Sequence, residues 1–278
     1  MMKLGLIGYP IGHSLSPWIH NQLLESQNLE GSYQLYEIEP DKFEENIKSL
    51  KKENLDGFNV TVPYKEQIIP FLDEMDQAAE FLGAVNTVKV EDGKWVGYNT
   101  DGIGYFSSVT SRFENTLKDT SKVLILGSGG AARGIYHAFL QKGVRQVDIA
   151  NRTVQKAEQI IKELNGEEFS EPLTIQEAGD RISEYEVVIQ TTSVGMSPNE
   201  NQSIIDFDDI KENALFSDIV YRPMNTKFLK RADELGAFLH YGHEMLLHQA
   251  IYAFKIWTGR EPEASELIEK FENVLKGE

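Results

Sequence analysis

Apolar and polar positions follow two different periods along the chain. Short apolar runs typical of buried strands are followed by longer stretches in which apolar residues recur every three or four positions, as on one face of a helix. In the first part of the chain this pattern predicts strands at 3–8, 33–39 and 57–62, and helices from Pro17, over 41–53 and over 73–82. Repeated strand–helix units are typical of an α/β protein built on a mainly parallel sheet.

Two local signals refine this first part. Ser16 followed by Pro17 predicts a helix start, with the serine hydroxyl as the N-cap and proline at the first helical position. Asp92 and Gly93 lie between two short alternating runs and predict a β-hairpin. The first sheet is therefore expected to be mixed, with an antiparallel excursion.

A second strand–helix series begins near residue 122. It predicts strands at 122–126, 146–150, 171–175, 187–191, 214–221 and 237–241. Gly143 and Gly166 stand where helix C-caps are expected. Six strands in this rhythm are typical of a doubly wound, Rossmann-type nucleotide-binding domain. The polar segment 107–121 is the expected connection between the two parts of the chain.

The length of 278 residues is sufficient for two domains. We expect a first domain over residues 1–104, completed by C-terminal helices at about 244–278, and a second domain over 105–243. A long amphipathic helix from Glu244 to Gly259 is expected to pack back on the first domain. The first domain would then be discontinuous in sequence.

Composition and charge exclude several classes of protein. Hydrophobic residues make up 41% of the chain, yet no apolar run approaches the roughly 18 residues of a membrane span, and the opening "MMKLGLIGYP" is typical of a strand and not of a signal peptide. The lack of cysteine rules out disulfides and thiolate metal sites and fits a cytoplasmic location. A net charge of −17 argues against a nucleic-acid partner. We expect a monomer or homodimer.

A glycine-rich loop follows the first strand of the second series. In "VLILGSGGAARG", Gly127, Gly129 and Ala132 form a G-x-G-x-x-A pattern between a strand and a helix. Glycines let backbone N–H groups approach a pyrophosphate, which then lies at the positive end of the helix. The loop therefore predicts a dinucleotide site.

The end of the next strand favours NADP over NAD. An NAD site would place an acidic residue there to bind the ribose hydroxyls, but "DIANRTVQK" offers Asn151, Arg152 and Thr153, with Lys156 one turn further on. A guanidinium and a hydroxyl can bind a 2′-phosphate that a carboxylate would repel. Asp148 comes too early in the strand to bind the ribose.

Polar clusters also stand at the ends of apolar runs in the first domain. These are "GHSLSP", "GAVNT" and "NTDG", together with Lys65 directly after "GFNVTVPY". Ligands of α/β sheets bind outside the carboxyl ends of the strands, so these clusters are expected to converge on one crevice. Hydroxyls, amides, one cation and one carboxylate suit a small polyhydroxy acid.

Taken in order, these stretches resemble one known family across nearly the whole chain. "GYPIGHSLSPWIHN", "GFNVTVPYK", "GAVNT", "NTDG", "GSGGAAR", "NRT", "TTSVGM" and "VYRP" are similar to the shikimate dehydrogenases. The resemblance implies NADP-dependent interconversion of 3-dehydroshikimate and shikimate, on the route to chorismate and the aromatic amino acids. It also implies an N-terminal substrate domain, a Rossmann-type NADP-binding domain and a cleft between them.

The resemblance also implies roles for individual residues. Lys65 matches the catalytic lysine of the family and Asp101 its partner carboxylate. The positions that match substrate contacts are Ser14, Ser16, Asn59, Thr61, Lys65, Asn86, Asp101, Tyr221 and Gln249. The positions that match cofactor contacts are Gly127, Ser128, Gly129, Gly130, Ala131, Asn151, Arg152, Thr153, Lys156, Ile219 and Gly242. Hydride removal from a secondary alcohol also needs a group to take the hydroxyl proton, which typically contributes about 10²–10⁴-fold.

Three positions bear on specificity or depart from the family pattern. Ser16 stands where family members that favour quinate tend to carry threonine, so shikimate is the expected substrate. Arg222 replaces the usual asparagine of "VYNP", and Glu244 replaces a glycine of the usual "GLGML" at the start of the last long helix. The second departure affects the packing expected beside the nicotinamide.

Other interpretations of the sequence remain as alternatives. A related NADP enzyme could act on quinate or an amino-shikimate, and a non-catalytic NADP sensor could share the fold, although both Lys65 and Asp101 are present. A zinc site is not expected, because His243 and His248 are five residues apart and do not share a helix face. No G-x-S-x-G sequence supports serine hydrolase chemistry.

Overall fold

The computed structural model describes residues 1–113, 117–144 and 146–277, and the chain divides into two compact units. The first unit consists of Met1–Asp101 and Gln249–Lys270, and the second of Gly102–His248 and Phe271–Glu278. Among the described residues, no helix is long and apolar enough to cross a membrane.

The first unit contains a six-stranded mixed sheet. Its strands are β1 (Met2–Gly8), β2 (Gly31–Glu37), β3 (Gly57–Val60), β4 (Glu74–Met75), β5 (Thr87–Glu91) and β6 (Lys94–Tyr98), in the order β2-β1-β3-β5-β6-β4. β1 pairs in parallel with β2 and β3, whereas β5 runs antiparallel to both β3 and β6. The hairpin and the mixed sheet predicted from the sequence are both confirmed.

Three α-helices connect these strands: α1 (Ser16–Ser26), α2 (Phe43–Leu50) and α3 (Gln77–Leu82). The prediction that Ser16 caps α1 is wrong, because Leu15 is the N-cap residue and Ser16 is already helical. The Ser14 hydroxyl instead accepts a hydrogen bond from the Ser16 N–H, at 3.2 Å. The predicted helix 73–82 is shorter, because its first part forms β4 and the Asp76 side chain caps α3.

The second unit contains six parallel strands. They are β7 (Lys122–Leu126), β8 (Gln146–Ala150), β9 (Pro172–Leu173), β10 (Val187–Gln190), β11 (Leu215–Asp218) and β12 (Phe238–Tyr241), in the order β12-β11-β10-β7-β8-β9. The helices are α4 (Asp101–Arg112), α5 (Gly130–Gln141), α6 (Val154–Glu163), α7 (Ile175–Asp180) and α8 (Lys227–Glu234). β7 and β10 are almost wholly buried apolar strands, as expected where helices cover both faces of a parallel sheet. The predicted doubly wound domain is confirmed.

Of the two glycines predicted at helix C-caps, Gly143 is confirmed and Gly166 is not. Gly143 has φ +85° just after α5, as predicted for a C-cap region. Gly166 was expected to play this part after α6, but Asn165 adopts the left-handed conformation there, with φ +54°. Gly166 is required for another reason, since a Cβ atom at this position would lie 1.7 Å from the Tyr136 hydroxyl oxygen. The predicted connection 107–121 includes residues 114–116, which lie outside the described residues.

Two C-terminal helices end the chain, α9 (Gly242–Thr258) and α10 (Ser265–Lys276). The second half of α9 belongs to the first unit, where Trp257 Nε1 donates a hydrogen bond to the Val88 carbonyl at 2.9 Å. Gly57 makes room for this indole, because a Cβ atom there would lie 2.3 Å from Trp257 Nε1. Leu4 and Leu6 of β1 pack in the same apolar cluster. α9 is therefore part of the core beneath the first sheet.

Candidate active site

Lys65 follows β3 in a turn and lies beside Asp101, the first residue of α4. The Lys65 backbone is held by its carbonyl, which accepts a hydrogen bond from the Val85 N–H at 2.8 Å. Its ammonium nitrogen lies 2.5 Å from Asp101 Oδ2, and the two side chains are 29% and 13% exposed. Lys65 is thus a partly buried, paired cation, unlike a solvated loop lysine.

Asn86 fixes the other oxygen of the carboxylate. Its Nδ2 donates to Asp101 Oδ1 at 2.8 Å and to Thr100 Oγ1 at 3.0 Å. Its own Oδ1 accepts from the Thr100 N–H at 2.8 Å and from the Thr87 hydroxyl at 2.9 Å. Both carboxylate oxygens are therefore held by donors, and the negative charge lies at the N-terminus of α4, where the helix dipole favours it.

A second amide, Asn59, lies behind Asn86 in the buried part of the site. Its Nδ2 donates to the Asn86 carbonyl at 3.1 Å and to Thr87 Oγ1 at 3.0 Å. Its Oδ1 accepts from the Tyr33 hydroxyl at 2.7 Å. Nothing in the sequence singles out Tyr33, because an aromatic residue in a strand is usually core. Thr100 was missed as well, although it lies inside "NTDG".

The two serines ahead of α1 are also brought together. Ser14 Oγ lies 3.2 Å from Ser16 Oγ, and both side chains are partly buried. The loop that carries them is tied to β2, because Glu37 Oε2 accepts a hydrogen bond from the Ile11 N–H at 3.0 Å. Two adjacent hydroxyls, each with a rotatable hydrogen, suit a carboxylate ligand.

Three further predicted substrate contacts are partly buried. Thr61 follows β3 and Gln249 lies in α9, both within the first unit. Tyr221 belongs to the second unit. Burial raises the pKa of the Tyr221 hydroxyl, and the charge of Arg222 opposes this shift. Tyr221 therefore stays a neutral hydroxyl that can donate or accept a hydrogen bond.

The glycine loop connects β7 to α5. Gly127 has φ +113°, and a Cβ atom there would lie 2.7 Å from both Thr191 Oγ1 and Thr192 Cγ2. At Gly129 and Gly130 a Cβ atom would meet nothing within 4 Å, so the loop faces open space. Within the described residues, α5 has neither a side-chain cap nor an acidic residue in its first turn. Its first N–H groups are thus available to a phosphate.

The predicted 2′-phosphate cluster follows β8. Asn151 Nδ2 donates to the Thr153 carbonyl at 2.9 Å and shapes the turn. Arg152, Thr153 and Lys156 are exposed, and neither cation forms an ion pair with another described residue. An unpaired guanidinium and ammonium on one turn are suited to binding a phosphate dianion.

Asp148 does not provide the acidic group of an NAD site. It is buried within the sheet, where Oδ2 accepts from the Tyr185 hydroxyl and Oδ1 from the Glu171 N–H, each at 2.8 Å. Burial raises the pKa of this carboxyl group. Its hydrogen bonds go to structural partners, so no carboxylate from β8 opposes a 2′-phosphate.

A buried carboxylate shapes the loop after β11, which carries Ile219 and Tyr221. Asp218 accepts hydrogen bonds from the Val220 N–H at 2.9 Å and the Thr226 hydroxyl at 2.7 Å, as well as one from Gln190. Burial raises the pKa of Asp218 to about 6. These bonds fix the backbone at the carboxyl ends of β10 and β11, the edge where parallel sheets bind cofactors.

The structure brings Ile219 and Gly242 together. A Cβ atom at Gly242 would lie 2.3 Å from the Ile219 carbonyl oxygen, so only glycine fits at the start of α9. Glu244, the departure from the family pattern, is 2% exposed and contacts Arg112 of α4, with Nη1 and Oε1 2.8 Å apart. Arg112 therefore compensates the buried charge that replaces a glycine. Arg222, the other departure, is exposed.

Two histidines near α9, His240 and His243, lie beside polar side chains. His240 lies between two hydroxyls, Ser217 Oγ at 2.8 Å and Ser108 Oγ at 2.9 Å. His243 Nε2 lies 3.4 Å from a carboxylate oxygen of Glu272. Among the described residues, no group of three or more side chains is arranged to hold a metal ion.

The parallel sheet with its open glycine loop, the unpaired cations after β8 and the lysine–carboxylate pair define a class of protein. Such features are typical of a nicotinamide-dependent oxidoreductase, an enzyme that has to bind a dinucleotide and to provide a group for proton transfer.

Comparison with known proteins identifies the family within this class. Three family models match: the shikimate dehydrogenase substrate binding domain over residues 6–88, the shikimate/quinate 5-dehydrogenase domain over 108–226, and the shikimate 5′-dehydrogenase C-terminal domain over 242–269. A shikimate dehydrogenase (NADP⁺) from Oceanobacillus iheyensis is 51% identical over 278 residues, which cover 99% of each chain. The chain belongs to the shikimate dehydrogenase family.

Solved structures agree with this assignment. The shikimate 5-dehydrogenase of Thermus thermophilus in complex with NADP(H) and shikimate is 31% identical, with a TM-score of 0.85, over 97% of this chain and 98% of that one. The quinate dehydrogenase of Corynebacterium glutamicum in complex with NAD is 28% identical, with a TM-score of 0.89, over 98% and 99% of the two chains. The resemblance found in the sequence is thus confirmed, and the predicted use of NADP is confirmed by the NADP-dependent relatives.

Proposed function

We propose that this protein interconverts 3-dehydroshikimate and shikimate by hydride transfer, with Lys65 and Asp101 as the acid/base pair. The class and cofactor follow from family membership: the chain is an NADP-dependent oxidoreductase of the pathway to chorismate and the aromatic amino acids. The observation that carries the residue assignment is the 2.5 Å contact between Lys65 Nζ and Asp101 Oδ2 in a partly buried site.

Bound NADP would accept the hydride from shikimate, and NADPH would return it. Residues Gly127, Ser128, Gly129, Gly130 and Ala131 would hold the pyrophosphate through backbone N–H groups. Residues Asn151, Arg152, Thr153 and Lys156 would bind the 2′-phosphate, and Ile219 and Gly242 would lie beside the nicotinamide. The open loop and the unpaired cations of the second unit support this assignment.

Oxidation of a secondary alcohol removes a proton from oxygen as well as a hydride from carbon. As a neutral amine, Lys65 Nζ would take that proton during oxidation, and as the resulting ammonium it would return the proton during reduction. The ammonium form has three hydrogens, of which one points to Asp101, so two remain for the carbonyl oxygen of 3-dehydroshikimate and its surroundings during reduction. Asp101 would stabilise the ammonium form and keep it in place.

The substrate would be held by the polar groups of the site. The Ser14 and Ser16 hydroxyls, 3.2 Å apart, would bind the carboxylate. The remaining proposed contacts are Asn59, Thr61, Asn86, Tyr221 and Gln249. The extra hydroxyl of quinate would have to fit beside Ser16, so shikimate is expected to be the better substrate.

Further proposals concern the organisation of the protein. We propose that residues 1–104 with the helices at about 244–278 form the substrate domain and that 105–243 form the cofactor domain. We also propose that the protein acts in the cytoplasm as a monomer or homodimer, on a small molecule and without a nucleic-acid partner. The net charge of −17 supports the last point.

The experiment that tests the function is a kinetic scan of the purified protein with shikimate and quinate, each with NADP and NAD. We expect kcat/KM to be highest for shikimate with NADP. Comparable values for shikimate and quinate would favour the wider-specificity alternative, and no turnover of either would favour a non-catalytic NADP sensor.

The role of Lys65 is tested by Lys65→Ala. We expect kcat to fall by about 10²–10⁴ while KM for shikimate stays within roughly an order of magnitude. Lys94→Ala is a matched control, because Lys94 is paired with Glu74 at 2.7 Å on the exposed side of the same unit. A raised KM with intact kcat would assign only binding to Lys65, and Asp101→Asn would then have to show the loss of kcat.

A further inference from the structure

We propose that Tyr33 is a positioning residue, which orients the Lys65–Asp101 pair through a series of directional hydrogen bonds in the first unit. This inference rests on the proposed function, because it assigns a role within the same substrate site. Tyr33 lies in β2, away from the sequence stretches that carry the resemblance. It touches neither Lys65 nor Asp101 directly and would act through the amides between them.

The hydrogen-bond series begins at the Tyr33 hydroxyl, which donates to Asn59 Oδ1 at 2.7 Å. Tyr33 is 4% exposed, and burial raises the pKa of its phenol well above the usual value, so the hydroxyl keeps its hydrogen. Because Oδ1 accepts this hydrogen, the orientation of the Asn59 amide is defined. Both Nδ2 hydrogens then point to the Asn86 carbonyl and to Thr87 Oγ1.

Thr87 passes this orientation to the second amide. Its hydroxyl has one hydrogen and accepts from Asn59, so that hydrogen is directed to Asn86 Oδ1, at 2.9 Å. Asn86 must then present Nδ2 to Asp101 Oδ1, at 2.8 Å. Every donor between Tyr33 and Asp101 points in the same direction. Reversing either amide would place two donors or two acceptors face to face.

Burial makes such a reversal costly. Asn59 is 6% exposed, Asn86 is 3% and Thr87 is fully buried, so an unpaired group there could not turn to water. The Asn59 amide hydrogens are both used within the protein, and its Oδ1 accepts from the Tyr33 hydroxyl. The main effect of Asn59 is therefore on its neighbours, and Tyr33 decides which way it faces.

Tyr33 also lies near Ser16, the first residue of α1. An interaction with the Ser16 hydroxyl opposes the effect of burial on the pKa of Tyr33, which places the phenol beside a proposed carboxylate contact. The His20 ring stacks on the Tyr33 ring, with centroids 4.3 Å apart and planes 9° from parallel. The ring is thus held by stacking, and the hydroxyl is directed to Asn59.

The experiment is a double-mutant cycle on the full-length protein. Tyr33→Phe keeps the ring and removes only the hydroxyl, and we expect it to lower kcat for shikimate oxidation by about 5- to 30-fold. In an Asn86→Ala background the same substitution should cost less than about 2-fold, because its route to Asp101 is already broken. Titration with NADPH, whose proposed contacts lie outside the hydrogen-bond series, counts the folded enzyme in each sample.

A matched control removes another buried phenol from the same unit. Tyr64 is fully buried, donates to the Ile38 carbonyl at 2.5 Å and precedes Lys65, so general loosening of the Lys65 turn would also affect Tyr64→Phe. We expect that variant to keep kcat within about 2-fold. Thr87→Val breaks the series at a second link and should reproduce the kcat loss of Tyr33→Phe.

Three outcomes would overturn the inference. The first is an unchanged kcat in Tyr33→Phe. The second is an equal loss of kcat in Tyr33→Phe and Tyr64→Phe. The third is that Tyr33→Phe lowers kcat by the same factor in the wild-type and Asn86→Ala backgrounds. The proposed function fails separately, if the wild-type protein does not turn over shikimate. A loss of kcat in Tyr33→Phe and Thr87→Val that disappears in the Asn86→Ala background supports the inference.

Discussion

His20 is expected to make the first unit sensitive to acid, and His20→Phe is expected to remove that sensitivity. His20 is fully buried in α1 and packs against the Tyr33 and Trp257 rings. Neither ring nitrogen has a well-formed hydrogen bond to another described residue. Burial lowers the pKa of His20 from 6.5 to about 3, against a weaker opposing effect of the Asn59 side chain, so the folded protein keeps the imidazole neutral.

The size of the effect follows from proton linkage. As the pH falls below 6.5, the unfolded chain binds a proton at His20 whereas the folded chain does not, until the pH approaches 3. Stability is therefore lost as the pH falls through this window. Between pH 7.5 and 5.0 the loss from this one side chain is about 2 kcal/mol. Phenylalanine fits the same stack and takes up no proton, so the variant should lose about 2 kcal/mol less than the wild type.

The free energy of unfolding can be measured by urea titration with tryptophan fluorescence at the two pH values. All three tryptophans, Trp18, Trp95 and Trp257, lie in the first unit, so the signal follows the unit that contains His20. His13→Gln, at an exposed position, serves as the control and should keep the wild-type pH dependence. The reasoning is refuted if His20→Phe loses as much stability between pH 7.5 and 5.0 as the wild type.

Three further outcomes are expected in the second unit. Gly102→Ala should lower stability by about 1–3 kcal/mol in a thermal melt, because its Cβ would lie 2.1 Å from the backbone oxygen of Gly134; an unchanged melt would contradict this. Arg112→Ala should cost about 1–3 kcal/mol by leaving the Glu244 carboxylate buried and unpaired, and adding Glu244→Gln should recover part of it; no recovery would count against the pairing argument. Arg152→Ala should erase most of the preference for NADP over NAD in a binding titration, and equal affinities in the wild type would disprove the preference.

The features that the sequence predicted well are those with local signals. The glycine loop after β7, the hairpin at Asp92 and the cations after β8 each depend on neighbouring residues, and all lie where they were expected. The alternation of strand-like and helix-like patterns was sufficient to predict both sheets. Lys65 and Asp101 could be paired beforehand only through the family resemblance, because 36 residues separate them.

The contacts that the sequence did not reveal, and the predictions that were wrong, depend mainly on residues outside the local pattern. Tyr33 is 26 residues from Asn59, and Arg112 is 132 residues from Glu244, so no local pattern reveals either contact. Ser16 carried a capping signal, but Ser14 already bonds its N–H, and the helix begins at Ser16 itself. Gly166 was misjudged because its requirement comes from the Tyr136 ring and not from the end of its own helix.

The discontinuity of the first unit has a consequence for how the protein is made. The ribosome completes β1 to β6 and then the whole of Gly102–His248 before it reaches the part of α9 that carries Trp257. Domains generally fold as units while the chain emerges. Leu4 and Leu6 share their apolar cluster with Trp257. Until Trp257 is synthesised, these two side chains therefore lack one of their packing partners. The second unit is synthesised almost without interruption and can fold before Trp257 is made. A holdase chaperone would therefore be needed most at the surface of the first unit that Trp257 later covers.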